Sequence, residues 1–256
     1  MSRFVTALPR LGLALGLLGA AALLLGLWIE PALAQSLTFD MGDNSGSTTG
    51  RLVQLLALMT VLSLAPSILV MVTSFTRIVV VLSFLRTAIG VQQSPPSTVI
   101  VSLALFLTAF VMAPTLEQAF NTGIRPLINE EISETEAITR TIAPFHKFMI
   151  AHVRDRDLKL FLDISKTPIP ETPEATPLRA LVPAFMISEL RRAFEIGFLL
   201  FVPFLIIDMV VASVLLSMGM MMLPPAIVSL PFKLIFFVLV DGWFLIAGSL
   251  VQSFGT

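Results

Sequence analysis

The sequence predicts an all-α membrane protein: two long helical hairpins, about four apolar helices in all, joined by an amphipathic helical segment. Three observations predict it. Of 256 residues, 56% are hydrophobic and only 13% charged, about half the charged share of an ordinary soluble domain. Apolar stretches run to membrane-helix length: no charge stands between Arg51 and Arg77 or between Arg86 and Glu117, and only Asp208 stands between Gly197 and Ser217. The breaks between them are chemical helix breakers, Ser94-Pro95-Pro96 and Pro224-Pro225.

Residues 1–34 read as a signal peptide, with Arg3 and Arg10 before an apolar run from Leu11 to Trp28 and the small residues Ala32-Leu33-Ala34 after it. Cleavage after Ala34 leaves a mature chain that starts at Gln35; the alternative is an uncleaved anchor, since the run is nearly long enough to span. Residues 35–50, rich in Gly, Ser and Asp, are expected to form a flexible arm outside the cytoplasm.

Residues 51–113 form the first expected hairpin. Residues 114–182 are more polar and are expected on the same side as the arm. There Phe145, Phe148, Met149 and Val153 follow helical spacing with charges between them. Lys166 to Pro177 has four prolines in twelve residues and reads as an extended linker. Residues 183–256 form the second hairpin, with a helix start expected at Pro183 and a tip at Met218 to Pro225.

The topology contains a conflict. A cleaved signal and four spans put Arg191 and Arg192 on the outer side, against the tendency of Lys and Arg to flank the cytoplasmic face. Pro66, Pro203 and Pro231 also interrupt apolar helices and free backbone groups that lipid cannot satisfy. Both points argue for helices largely buried in protein rather than a simple four-span bundle.

Composition excludes several classes. A net charge of −1 offers no basic face for nucleic acid. Zero cysteines exclude disulfides, thiolate zinc sites and cysteine nucleophiles. His146 and His152 are six apart and do not share a helical face, which argues against a two-histidine metal site. No segment matches the phosphate-binding pattern G-x-x-x-x-G-K-[ST]. No cofactor is expected.

Several long segments carry a resemblance. Leu181-Val-Pro-Ala-Phe-Met-Ile-Ser-Glu-Leu-Arg-Arg-Ala-Phe-Glu-Ile-Gly197 resembles the signature segment of the FliP family. So do Ala57 to Ser67, Ser74 to Ile78, Leu216 to Pro225, Leu230 to Ile235 and Leu239-Val-Asp-Gly-Trp243. The resemblance covers nearly the whole mature chain. Related injectisome proteins of the SctR type share these motifs but usually lack a leader, so the leader favours the flagellar branch.

The resemblance implies a non-enzymatic pore subunit of the flagellar type III export gate, multi-pass in the bacterial inner membrane at the basal body, and the cleaved signal places its mature N-terminus in the periplasm. It implies a ring, usually described as pentameric, that assembles with FliQ and FliR and passes unfolded flagellar subunits. Energy is implied to come from a cytoplasmic ATPase and from the proton motive force acting through FlhA and FlhB.

Three residue sets are candidates for the mechanism. Met218, Met220, Met221 and Met222 sit at the hairpin tip; read from the residues alone they are gap fillers first, whereas the resemblance implies a methionine gasket that closes the pore. Asp208, Lys233 and Asp241 are ionisable groups within apolar helices, read first as a buried pair or assembly feature and otherwise as a proton relay. Glu189, Arg191, Arg192 and Glu195 share a helix at pairing distances and read as an intrahelical network or as contacts between subunits. Arg77 and Arg86 read as charges flanking the cytoplasmic interface. Rival functions are a secondary transporter or proton channel using Asp208, Lys233 and Asp241, and, more remotely, an intramembrane aspartyl protease on Asp208 and Asp241.

Overall fold

The computed structural model describes residues 48–91, 94–220 and 222–255, and all regular structure among them is helical. The signal peptide, most of the arm and Met221 lie outside the described residues. The chain divides into two units, Met1–Leu56 and Ala57–Thr256. In the first, the described residues 48–56 are helical; they open α1 (Thr48–Val72), so the helix takes in the last three residues of the segment expected to be an arm.

In the second unit the first hairpin arm is two helices, not one. The chain breaks at Thr73 and Ser74 before α2 (Phe75–Ile89). No proline or glycine marks this break; hydroxyls make it. Thr73 Oγ1 donates to Leu69 O (2.8 Å) and accepts from Phe75 N (3.3 Å), while Thr76 Oγ1 donates to Val70 O (3.0 Å). Side chains thereby replace helix backbone bonds. At its far end α2 stops at Gly90, whose φ of 88° gives the left-handed cap that glycine adopts without strain.

Helix α2 is the centre of the core. Ile78, Val81, Leu82, Leu85 and Ile89 recur at helical spacing and are buried against α3 (Ser97–Ala119) and against the helices of the second hairpin. Helix α3 runs straight through Pro114, past the expected hairpin boundary at residue 113. It continues through a π-helical turn, Phe120–Ile124, into α4 (Arg125–Ile128). Pro126 has no N–H to return to the Thr122 carbonyl, and the turn just before it is widened, with Arg125 N–H bonding Phe120 O five residues back.

The polar segment adds α5 (Glu134–His152) and α6 (Asp155–Ile164). Ser133 caps α5 by accepting from Glu136 N (3.4 Å). The proline-rich linker holds only a 3₁₀ turn, Pro173–Ala175. Met149, Leu181 and Phe185 bury α5 against the start of α7 (Leu178–Ser217).

Helix α7 begins five residues before Pro183, where the sequence reading placed its start. At 40 residues it is about 60 Å long, twice the thickness of a bilayer core. Its partner arm is α8 (Pro225–Leu239) and α9 (Gly242–Gln252), with the axis turning 62° between them.

Among the described residues, two helical runs can cross a membrane by length and composition, Ser97–Ile128 and Leu178–Ser217, or up to four counting the bent pairs across Pro66 and across Val240–Asp241. Their apolar windows are only 33% and 11% buried within the chain. The expected covering of these helices by protein is therefore not supplied by the other described residues; lipid or other protein must cover them.

Candidate functional site

The tip of the second hairpin is a short turn between α7 and α8. Gly219, at φ 73°, reverses the chain there. Met218 and Met220 are exposed and Met222 is 98% exposed, so these methionines do not fill gaps inside the chain. An unbranched thioether side chain exposed in this way is adaptable apolar surface.

Below the tip, Lys233 of α8 is buried and donates to Asp208 Oδ2 of α7 (2.6 Å) and to Ala88 O of α2 (3.3 Å). Ser229, one turn earlier, donates to Asp208 Oδ1. The exposures are unequal: the Lys233 side chain is 8% exposed and that of Asp208 39%. A charge in an apolar helix must be paired, and this pair ties three helices together. Asp241 is not part of it. It stands exposed at the break between α8 and α9, in the left-handed region at φ 51°, and makes no capping bond. The three ionisable groups are thus a pair and a turn residue.

The structure separates the charged set on α7. Glu189 is 0% exposed and faces inward, where it meets Arg77, itself 1% exposed. Arg77 Nε donates to Glu189 Oε2 (2.8 Å) and Nη2 donates to Oε1. Nη1 reaches Ser253 O (3.1 Å) and Ser253 Oγ (2.9 Å), and the guanidinium lies 3.7 Å from the Phe254 ring centroid. Arg77 is therefore not an interfacial charge, and Glu189 is committed within its own subunit. Arg191 and Glu195 pair on the exposed face (2.9 Å), and Arg192 is half-buried with no ion pair among the described residues.

Sequence reading missed Ser229, Ser253 and Phe254, which complete these sites. Phe254 stacks on Phe148 of α5 (6.1 Å) and neighbours His152 (5.4 Å), so the chain end joins the polar segment to the core. Serine and phenylalanine carry no signal of this in sequence; only the pairing shows it.

A third network locks α6 to α7. Asp157 Oδ2 accepts from Ser188 Oγ (2.6 Å) and from Arg154 Nε and Nη2 (2.9 and 2.7 Å). Burial pushes the Asp157 carboxyl up, but the Ser188 hydroxyl and the Arg154 guanidinium, with Arg191 beyond, outweigh it and hold it below the usual carboxylate range. A carboxylate whose pKa is depressed on folding stabilises the fold above its unfolded pKa of about 4 and loses that contribution as pH falls through the folded value. Melting temperature is expected to fall more between pH 5 and pH 3 in the unaltered protein than in Asp157→Asn. Parallel curves would remove Asp157 as a source of acid lability.

Among the described residues no group of three or more His, Cys, Asp or Glu is placed to hold a metal. His146 is engaged with Thr176 O (2.7 Å) and His152 with Phe148 O (2.8 Å).

Long apolar helices left uncovered by their own chain, with ion pairs sealed between them, define an all-α membrane protein. Residues 58–250 match the FliP family. Similar proteins include the flagellar biosynthetic protein FliP of Caulobacter vibrioides, 62% identical over 91% of this chain and 88% of that one. That of Bacillus subtilis is 56% identical over 83% and 94%, and that of Rhizobium meliloti 52% over 86% and 92%. The chain belongs to the FliP family, and so to the components of the flagellar export apparatus.

Proposed function

We propose that the chain is the pore-forming subunit of the flagellar type III export gate. It acts as a pentameric ring with FliQ and FliR in the bacterial inner membrane, at the basal body, with its mature N-terminus in the periplasm. Unfolded flagellar subunits pass through the ring, and FlhA and FlhB supply the coupling to energy. The chain performs no chemistry of its own.

The observation that supports this best is the methionine turn, which offers Met222 almost fully exposed at the tip of a hairpin in the single chain. A ring of such turns brings flexible apolar side chains to one constriction. They can yield to varied peptide side chains and, when nothing passes, exclude water and with it ions. In this reading the Lys233–Asp208 pair fixes the register of the helices behind the turn, and the exposed Arg191–Glu195 pair and Arg192 contribute to contact between neighbouring subunits.

Native mass spectrometry of the detergent-purified protein, alone and with FliQ and FliR, tests the reading. The expected result is a closed ring that takes up both partners. Replacing Met218, Met220 and Met222 together with alanine is then expected to leave the ring intact and raise its ion leak in liposomes. A monomer indifferent to both partners would sink the gate reading. Proton uptake by the isolated chain that Asp208→Asn abolishes would replace it with the proton-channel reading, which the half-exposed Asp208 carboxylate favours.

A further inference from the structure

The polar segment carries two surfaces that the methionine turn and the ion pairs do not use. The first is a groove of about 730 Å³ along α5, between the end of α3 and the start of α7. Its apolar lining is Ile138, Ile142, Ile150 and Leu178, and its charged lining is Arg140, paired with Glu136, together with Lys147 and Glu174. Lys147 is exposed and has no ion pair among the described residues.

The second surface is the turn between α4 and α5, Ile128-Asn129-Glu130-Glu131-Ile132. Ile128 is 68% exposed, and Glu130 and Glu131 have no ion pair among the described residues. Glu130 holds a positive φ of 58°, a conformation that disfavours a non-glycine residue and recurs where a turn has a job to do. The turn thus offers two carboxylates flanked by two isoleucines, and the groove offers apolar side chains beside one cation unpaired among the described residues, Lys147.

We infer that the acidic turn of one copy of this chain docks in the α5 groove of the next copy. A chain cannot fill its own groove in this way. Lys147 lies 13 residues beyond the start of α5 at Glu134, about 20 Å along the helix, with the turn beyond the opposite end. Because turn and groove are different patches, the contact is head to tail, and with a rotation that closes, its repetition builds a ring. The inference rests on the ring reading above and names the contact that builds it.

The chain has no cysteine, so a designed pair reports without background. In Glu131→Cys/Lys147→Cys, mild oxidation of the purified assembly is expected to give a covalent ladder reaching the ring size, with neither single variant giving more than a dimer. Within one chain the two positions are far beyond the roughly 7 Å that a disulfide allows. Independently, Lys147→Glu is expected to reduce the ring fraction at fixed concentration at least about tenfold, since it sets like charges together, and Lys147→Glu/Glu131→Lys to restore it. Intact rings with no ladder and no effect of charge reversal would overturn the inference while leaving the ring reading standing; the groove would then belong to another protein. An unmodified protein that forms no ring overturns both.

Discussion

Replacing Arg77 with methionine is expected to lower the melting temperature of the detergent-purified protein by about 10 °C, and Glu189→Met to do the same. Arg77 uses four of its five N–H groups, two on Glu189 and two on Ser253, while its face covers Phe254. Removing either charge leaves the other buried with no counter-charge, which costs about 3–5 kcal/mol. Removing both does not: Arg77→Met/Glu189→Met is expected to recover most of the loss, because two methionines refill the volume and no charge is stranded. Recovery stays incomplete, since the Ser253 carbonyl loses its donors whereas its hydroxyl keeps a bond to Leu250 O (2.7 Å). Arg77→Lys is expected to lose less than Arg77→Met, because its ammonium still neutralises Glu189, yet to remain destabilising because it cannot span both carboxylate oxygens and cover the ring at once. The thermal-melting double-mutant cycle decides the matter. A double variant as unstable as the two single losses added together would mean that the residues act separately and that the pair is no clamp.

This clamp is where the sequence was least legible. The class of fold could be read because charge-free intervals of membrane length are a property of consecutive residues, and hydropathy does not depend on which helix packs where. The Arg77–Glu189 pair joins residues 112 positions apart, and no spacing rule connects them. Local reasoning therefore assigned Arg77 to an interface and Glu189 to the surface network of its own helix. Asp208 and Lys233 were more legible, because each is a lone charge in an otherwise apolar arm and a hairpin brings the arms side by side. Asp241 was misplaced with them for want of one fact, that α8 and α9 are separate helices and Asp241 occupies the left-handed turn between them.

Prolines misled in a consistent way. Pro114 and Pro183 served as boundaries in the sequence reading, yet both lie inside helices. A proline forfeits one backbone bond and one neighbouring contact, and a long helix held by packing tolerates that loss. The break before α2, by contrast, has no proline, and its signal was the hydroxyl pair Thr73 and Thr76, which competes for helix carbonyls. Periodicity served better: Phe148 and Met149 do face inward on α5, where Met149 is buried beside Leu181 and Phe185.

Gly123→Ala should be the most damaging single-carbon change in the polar segment. A Cβ at this position would fall 2.1 Å from Thr141 Oγ1, 2.8 Å from Thr141 N and 2.9 Å from Ala137 O. The hydroxyl could rotate away, but the other two atoms are backbone of α5 and can yield only if the helix moves. That forces α5 off the π-helical turn, an overpacking strain of about 1–3 kcal/mol. The expected fall in melting temperature is about 3–10 °C. Thr141→Ala removes the closest clash and its own bond to Ala137 O (2.7 Å), so in the Gly123→Ala background it should return only part of the loss; the backbone contacts remain. The position also bears on assembly. Gln118 and Thr122 of the α3–π run and Thr139 to Ile150 of α5 line opposite sides of the same groove, so prising the two apart widens it. Gly123→Ala is therefore expected to reduce the ring fraction by more than its loss of stability alone accounts for, measured beside Arg77→Met at matched melting temperature. Equal ring fractions in the two variants would show that the π turn sets stability and leaves the groove untouched.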